Sequence, residues 1–222
     1  MSTQISKKLG EYLYVPTREL FSWWYKPDSK FTIVGTYPKD EENVLIVSNH
    51  RRFIDAWLIS SLLSHQRISW CTKVQIHEPA FYHALLSQFE SRLARVLGNL
   101  IAKQVVSTIA SLCIHVMDNC DTFVVDPENL MNPINGNVLS SARSKREAGK
   151  WLGIFPEGGV KTPRGQAKFA GMLMLVRTFK LDVHQVYVDY KHMTITFFPP
   201  IPSRETHKNL SLIESRLYGE EA

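Results

Sequence analysis

The 222-residue chain has few cysteines, no long uninterrupted apolar run and no strong excess of one charge. Its three cysteines, Cys71, Cys113 and Cys120, follow no metal-ligand spacing, so neither a zinc finger nor a disulfide framework is indicated. The most apolar long stretch, residues 96–117, is interrupted by polar side chains and is not expected to span a membrane. The mean hydropathy of −0.15 agrees with this expectation.

The charge balance is mildly basic. The chain has 26 Lys and Arg against 21 Asp and Glu, for a net charge of +5, and the sequence pI is near 9.1. This excess suits an anionic lipid surface or an anionic small molecule. Basic residues are not interleaved with aromatics in any run, so we expect no nucleic-acid partner.

Short apolar runs alternate with segments of helical periodicity. Strands are predicted near 31–35, 44–48, 67–72, 122–126, 151–155, 184–190 and 193–198, and helices near 55–64, 80–118, 136–149 and 167–180. This order predicts a single α/β domain over 31–222, with a mostly parallel sheet flanked by helices. The polar sequence after residue 203 predicts a peripheral helix.

Residues 1–30 form a separate N-terminal segment with amphipathic character. Its first residues place an apolar face on one side of a helix, made of Ile5, Leu9, Tyr12 and Leu13. The aromatic-rich run 20–25 that follows is typical of a membrane interface. We expect peripheral membrane contact here, and a helix docked on its own domain is the alternative.

His50 and Asp55 follow the apolar run 44–47, at the point where a predicted strand ends. Histidine accepts a proton near neutral pH, and a carboxylate five residues later can orient the ring and stabilise the imidazolium. Open α/β sheets place ligand sites at the carboxyl ends of their strands. The alternative is that Asp55 caps the following helix and His50 is a surface turn residue.

A second polar group follows the predicted strand 151–155, where Pro156 and Glu157 are followed by two glycines. Glycines allow backbone conformations and close ligand approach that a Cβ would prevent. By itself this could be only a tight turn. Together with the His50 block, it predicts one site at the edge of the sheet.

The two blocks, Asn-His-(four residues)-Asp from Asn49 and Phe-Pro-Glu-Gly from Phe155, resemble the glycerolipid acyltransferase family. That family includes the 1-acylglycerol-3-phosphate acyltransferases. Weaker similarity at 169–171 and 198–202 extends the resemblance over residues 44 to 202. There are two departures: Pro127 stands where the family has a phosphate-binding arginine, and Gly159-Val160 replaces its Thr-Arg pair.

The resemblance implies an O-acyltransferase of phospholipid biosynthesis that is peripheral on a membrane, and the three cysteines indicate reduced thiols in the cytoplasm. It would move a fatty acyl group from acyl-CoA or acyl-carrier protein to a hydroxyl of a lysophospholipid or glycerol phosphate-type acceptor. His50 would be the general base and Asp55 its partner, while Asn49 and Glu157 would bind substrate. Backbone N–H groups near Gly158, or those of another turn at a strand end, would stabilise the oxyanion. Neither a metal nor a cofactor beyond the acyl donor is expected. The candidate phosphate partners are the nearest basic residues, Arg51, Arg52, Lys161 and Arg164.

Three alternatives remain open at this stage. The acceptor could be a lysolipid without a phosphate monoester, or the chain could be a non-catalytic lipid- or membrane-binding module on the same fold. In the third, His50, Asp55 and Glu157 ligate a metal together with His184 or His192, although neither histidine falls in a recognisable ligand spacing.

Overall fold

The structure, a computed structural model, describes residues 27–38, 43–52, 54–73, 86–87, 90–91, 94–95, 98–119, 122–125, 136–157 and 169–219. The expected N-terminal membrane segment lies almost entirely outside the described residues. The strands are β1 Thr32–Gly35, β2 Val44–Ser48, β3 Ile68–Lys73, β4 Thr122–Val125, β5 Trp151–Ile154, β6 Asp182–Asp189 and β7 Thr194–Phe197. The helices are α1 Pro27–Lys30, α2 Asp55–Leu62, α3 Asn99–Asn119, α4 Val138–Glu147, α5 Phe169–Phe179 and α6 Leu210–Leu217, with a 3-10 turn at Thr206–Asn209.

The strands form one seven-stranded sheet in the order β1-β7-β6-β2-β5-β3-β4. Strands β6, β2, β5, β3 and β4 are mutually parallel. Strand β7 runs antiparallel to β6, and β1 pairs parallel with β7. The predicted α/β architecture with a mostly parallel sheet is therefore confirmed.

Strand β2 lies at the centre of the sheet and all five of its residues are buried. Leu45 and Val47 pack into one apolar cluster, with α4, α5 and α6. Val44 and Ile46 point the other way and pack into a second cluster, with α2. Both faces of the sheet are covered, which is why this strand reads as a continuous apolar run.

Helix α6 is not peripheral, contrary to the expectation for the polar C-terminal sequence. Ile213 and Leu217 are four residues apart, and they are 0% and 1% exposed. The Gln185 side chain on β6 also donates a hydrogen bond to the Ile213 carbonyl at 2.8 Å. These two are the only buried residues of α6, so the mostly polar composition after residue 203 did not indicate a buried face.

Within the described ranges, no helix is long and apolar enough to cross a membrane.

Candidate active site

The two sequence blocks meet at one edge of the sheet. Strands β2 and β5 are parallel neighbours, so the residues that follow them emerge side by side. The His50 backbone N–H lies 3.4 Å from Glu157 Oε2, to which it donates a hydrogen bond. The structure thus brings together residues that are 107 positions apart.

Asp55 is fully buried and its carboxylate organises the first block. Its Oδ2 atom lies 3.2 Å from His50 Nδ1. The same oxygen accepts hydrogen bonds from the backbone N–H groups of Arg51 at 2.6 Å and Arg52 at 2.7 Å. The N-cap of α2 is Ile54, with no side-chain cap, so the alternative in which Asp55 caps the helix is wrong.

The His50 ring is held in a stack of three aromatic rings. It lies parallel to Phe155, with centroids 4.3 Å apart, and Phe155 in turn stacks on Trp70 at 4.7 Å. Trp70 is fixed by a 2.9 Å hydrogen bond from its indole N–H to Ser60. The His50 side chain keeps 18% of its surface exposed. Within the described residues, His50 Nε2 has no hydrogen-bond partner.

Glu157 is 3% exposed, and this burial raises the pKa of its carboxyl. The Arg51 guanidinium, 3.4 Å from Oε2, and the His50 backbone N–H both act in the opposite direction, while the charge of Asp55 adds to the increase. The net direction is upward. Glu157 is therefore a desolvated carboxyl beside the candidate base.

Asn49 is fully buried and joins the ends of two strands. Its side-chain amide donates to the Val188 carbonyl at 2.9 Å and accepts from the Val188 N–H at 2.8 Å. Both ends of the amide are therefore occupied by β6. This geometry supports a role in positioning His50 and argues against the expected contact of Asn49 with a substrate.

The two arginines of the first block differ in environment. Besides Glu157, Arg51 donates to the Leu217 carbonyl at 3.1 Å and lies 5.6 Å from the Tyr218 ring, so the end of α6 holds it in place. Arg52 is exposed, and its guanidinium lies 3.9 Å from the centroid of the Tyr190 ring. The other predicted site residues, Gly158, Lys161 and Arg164, lie outside the described residues.

The sequence interpretation missed Tyr190, which follows β6 directly. Its hydroxyl donates a 2.6 Å hydrogen bond to Asp55 Oδ1. A sheet order that placed β6 beside β2 would have identified it, because Tyr190 then occupies the same edge as His50. It also missed the stacking role of Phe155 and Trp70.

The metal alternative requires His50, Asp55 and Glu157 to share an ion with His184 or His192. Across the described residues, no group of three or more His, Cys, Asp or Glu side chains is arranged to hold a metal ion. His184 is buried at the position of β6 that pairs with Ile46, and His192 lies 2.7 Å from Asp189 in the turn between β6 and β7.

Cys71, on β3, is partly exposed and forms no disulfide. Desolvation of its thiol raises the pKa of Cys71 to about 12. The thiol therefore stays protonated at neutral pH, which argues against a nucleophilic role.

Comparisons of the chain with protein-family models, curated proteins and solved structures gave no match.

Proposed function

We propose that the protein is an acyltransferase that moves an acyl group from a thioester donor to a hydroxyl of a lysophospholipid or glycerol phosphate-type acceptor. The observation that carries the proposal is the His50–Asp55 pair, with Nδ1 held by a buried carboxylate and Nε2 without a hydrogen-bond partner in the described residues. This is the arrangement of a general base that removes a proton from a hydroxyl.

In this mechanism, the acceptor oxygen attacks the thioester carbonyl carbon while its proton passes to His50 Nε2. The tetrahedral intermediate then breaks its carbon–sulfur bond, and the leaving thiolate takes the proton back from the imidazolium. Two backbone N–H groups and the Tyr190 hydroxyl hold the Asp55 carboxylate in place, where it orients the ring and stabilises its charged form. General-base assistance of this kind is worth about 10²–10⁴-fold in rate.

The sequence resemblance supports the acyl-transfer class, since the two blocks that carry it meet at the same edge of the sheet. The buried Glu157 carboxyl beside His50 can accept a hydrogen bond from a second polar group of the acceptor. Donors of this class, acyl-CoA or acyl-carrier protein, are anionic, in agreement with the net charge of +5.

The test is an assay with radiolabelled acyl-CoA and acyl-carrier protein as donors and a panel of acceptors. The panel includes glycerol 3-phosphate, lysophosphatidic acid, lysophosphatidylcholine and monoacylglycerol. We expect a labelled acyl ester of at least one acceptor, identified by mass spectrometry. Purified, folded protein that forms no acyl ester with any donor–acceptor pair would overturn the proposal.

A further inference from the structure

Tyr190 lies where two neighbouring strands present their carboxyl ends. It follows Asp189, the last residue of β6, and β6 pairs in parallel with β2. The double hydrogen bond between Asn49 and Val188 ties the ends of these strands together. Tyr190 is therefore fixed beside the His50 block although it is distant in sequence.

The Tyr190 hydroxyl completes the coordination of the Asp55 carboxylate. Oδ2 is occupied by two backbone N–H groups and His50 Nδ1, and Oδ1 accepts the 2.6 Å hydrogen bond from Tyr190. With donors on both oxygens, the carboxylate cannot rotate without breaking a charge-assisted hydrogen bond. Tyr190 thereby fixes the oxygen that faces the candidate base.

The ring of Tyr190 has a second contact, with Arg52. The guanidinium carbon lies 3.9 Å from the ring centroid, within the range of a cation–π interaction. The ring itself is held from another side by an edge contact with Phe31, with centroids 5.6 Å apart. The stack orders the Arg52 side chain while it remains exposed.

The Arg52 guanidinium differs from that of Arg51 because its N–H groups donate no hydrogen bond within the described residues. Arg51 uses its donors on Glu157 and Leu217. Over the described part of the chain, the Arg52 guanidinium makes no hydrogen bond and no ion pair. A planar, ordered guanidinium with open donors matches the geometry of a phosphate group.

From these contacts we propose that Tyr190 is a positioning residue that links the general base to a phosphate-binding residue. Its hydroxyl holds Asp55 against His50, and its ring holds Arg52 ready to bind a phosphate group of the substrate. This inference rests on the proposed acyl transfer and identifies Arg52 as the residue of the site that binds the phosphate group. Both acceptor and donor can carry the phosphate, so the test separates the two.

The test compares Tyr190→Phe, Tyr190→Leu and Arg52→Ala with the wild-type protein. Tyr190→Phe removes the hydroxyl and keeps the ring, so kcat should fall about tenfold or more while KM for the phosphate-bearing substrate stays unchanged. Arg52→Ala should raise that KM about tenfold to a hundredfold with little change in kcat. Tyr190→Leu should both lower kcat and raise KM for the phosphate-bearing substrate. Tyr37→Phe, which deletes the hydroxyl of a tyrosine that follows the outer strand β1 and packs against Phe197, is the matched control and should change neither.

Kinetics with lysophosphatidic acid and with monoacylglycerol identify the source of the phosphate. If the acceptor carries it, Arg52→Ala loses its effect with monoacylglycerol; if the donor carries it, the effect appears in the KM of acyl-CoA. An unchanged kcat in Tyr190→Phe, or unchanged KM values for both substrates in Arg52→Ala, overturns the inference. If Tyr190→Leu does not fold, the results for Tyr190→Phe and Arg52→Ala decide whether the inference holds.

Nuclear magnetic resonance tests the link between His50 and Arg52 through Tyr190 without enzymatic turnover. It therefore separates a failure of this link from a failure of the proposed acyl transfer. The Nδ1–H resonance that is lost in His50→Ala should shift in Tyr190→Phe, because the partner carboxylate loses a donor. Titration with inorganic phosphate should shift the Arg52 Nε–H signal in the wild-type and Tyr190→Phe proteins and leave it unmoved in Tyr190→Leu. An Nδ1–H resonance that Tyr190→Phe leaves in place, or a phosphate response that survives Tyr190→Leu, contradicts the proposal.

Discussion

At the scale of single residues, the Asp55 carboxylate is the group on which the geometry of the base depends. In Asp55→Asn the amide oxygen can still accept from the backbone of Arg51 and Arg52, but no negative charge remains to stabilise an imidazolium. We expect activity to fall about 10²–10⁴-fold and the free energy of unfolding to fall by about 1–3 kcal/mol. Steady-state kinetics and urea denaturation measure these two effects.

The matched control for this change is Asp182→Asn. Asp182 also accepts a backbone hydrogen bond, from Ser203 at 2.7 Å, but it lies at the start of β6 and therefore at the other edge of the sheet. It should keep full activity. Equal losses of activity in the two variants would show that Asp55 acts only through folding.

The buried carboxyl of Glu157 should make the free energy of unfolding depend on pH. Because burial raises the pKa of Glu157 above its ordinary value of 4.5, the unfolded chain releases this proton first as the pH rises, and folding becomes less favourable. Glutamine has no such proton. Glu157→Gln should therefore be more stable than the wild-type protein at neutral pH, and the difference should vanish below the ordinary glutamate pKa.

Chemical denaturation of both proteins across pH 3–8 measures this difference, with Glu147→Gln at an exposed position of α4 as the control. Should Glu157→Gln lower the stability at neutral pH, the ion pair with Arg51 would outweigh the cost of desolvation. The assigned environment of Glu157 would then be wrong.

At the scale of elements, strand β5 allows the aromatic stack beside the base because position 153 lacks a side chain. A Cβ at Gly153 would lie 2.6 Å from a ring carbon of Trp70. Gly153→Ala should displace Trp70, and with it Phe155 and the ring of His50, at a cost of about 1–3 kcal/mol in stability. Thermal unfolding and kcat are the measurements.

Gly136→Ala is the control for this substitution, since a Cβ there would meet no atom of the described residues within 4 Å. It should leave stability and kcat unchanged. A Gly153→Ala protein with wild-type kcat would show that the ring stack does not position His50.

The elements also show which features of the fold a sequence can predict. Strands such as β2 and β5 are short apolar runs between turn residues, and their bounds were predicted to within a residue or two. The His50–Asp55 contact spans five residues and follows from local spacing. The contact of Tyr190 with Asp55 spans 135 residues and that of Arg51 with Leu217 spans 166, so both depend on strand order and helix docking that no local pattern contains.

At the scale of the whole molecule, we propose that the protein acts on a membrane surface through the N-terminal segment. The aromatic run 20–25 and the net charge of +5 should bind anionic vesicles, with affinity that falls as salt rises. Sedimentation with phosphatidylglycerol vesicles measures this. Replacing Trp23 and Trp24 by alanine should reduce the bound fraction, whereas replacing Val34, an exposed apolar residue of β1, should not.

A wild-type protein that stays in the supernatant with these vesicles at low salt would exclude the interfacial role. If the protein with both tryptophans replaced still binds the vesicles, the membrane contact must involve another surface of the protein.

In the proposed mechanism, His50 removes the proton of the acceptor hydroxyl. The most direct test is the rate of acyl transfer by folded His50→Ala protein, measured with the best donor–acceptor pair of the wild-type enzyme. His192→Ala is the control, because it removes an imidazole that also contacts a carboxylate, 2.7 Å from Asp189. We predict that His50→Ala loses about 10²–10⁴-fold in kcat and that His192→Ala keeps wild-type activity. Wild-type activity in folded His50→Ala protein would contradict the mechanism.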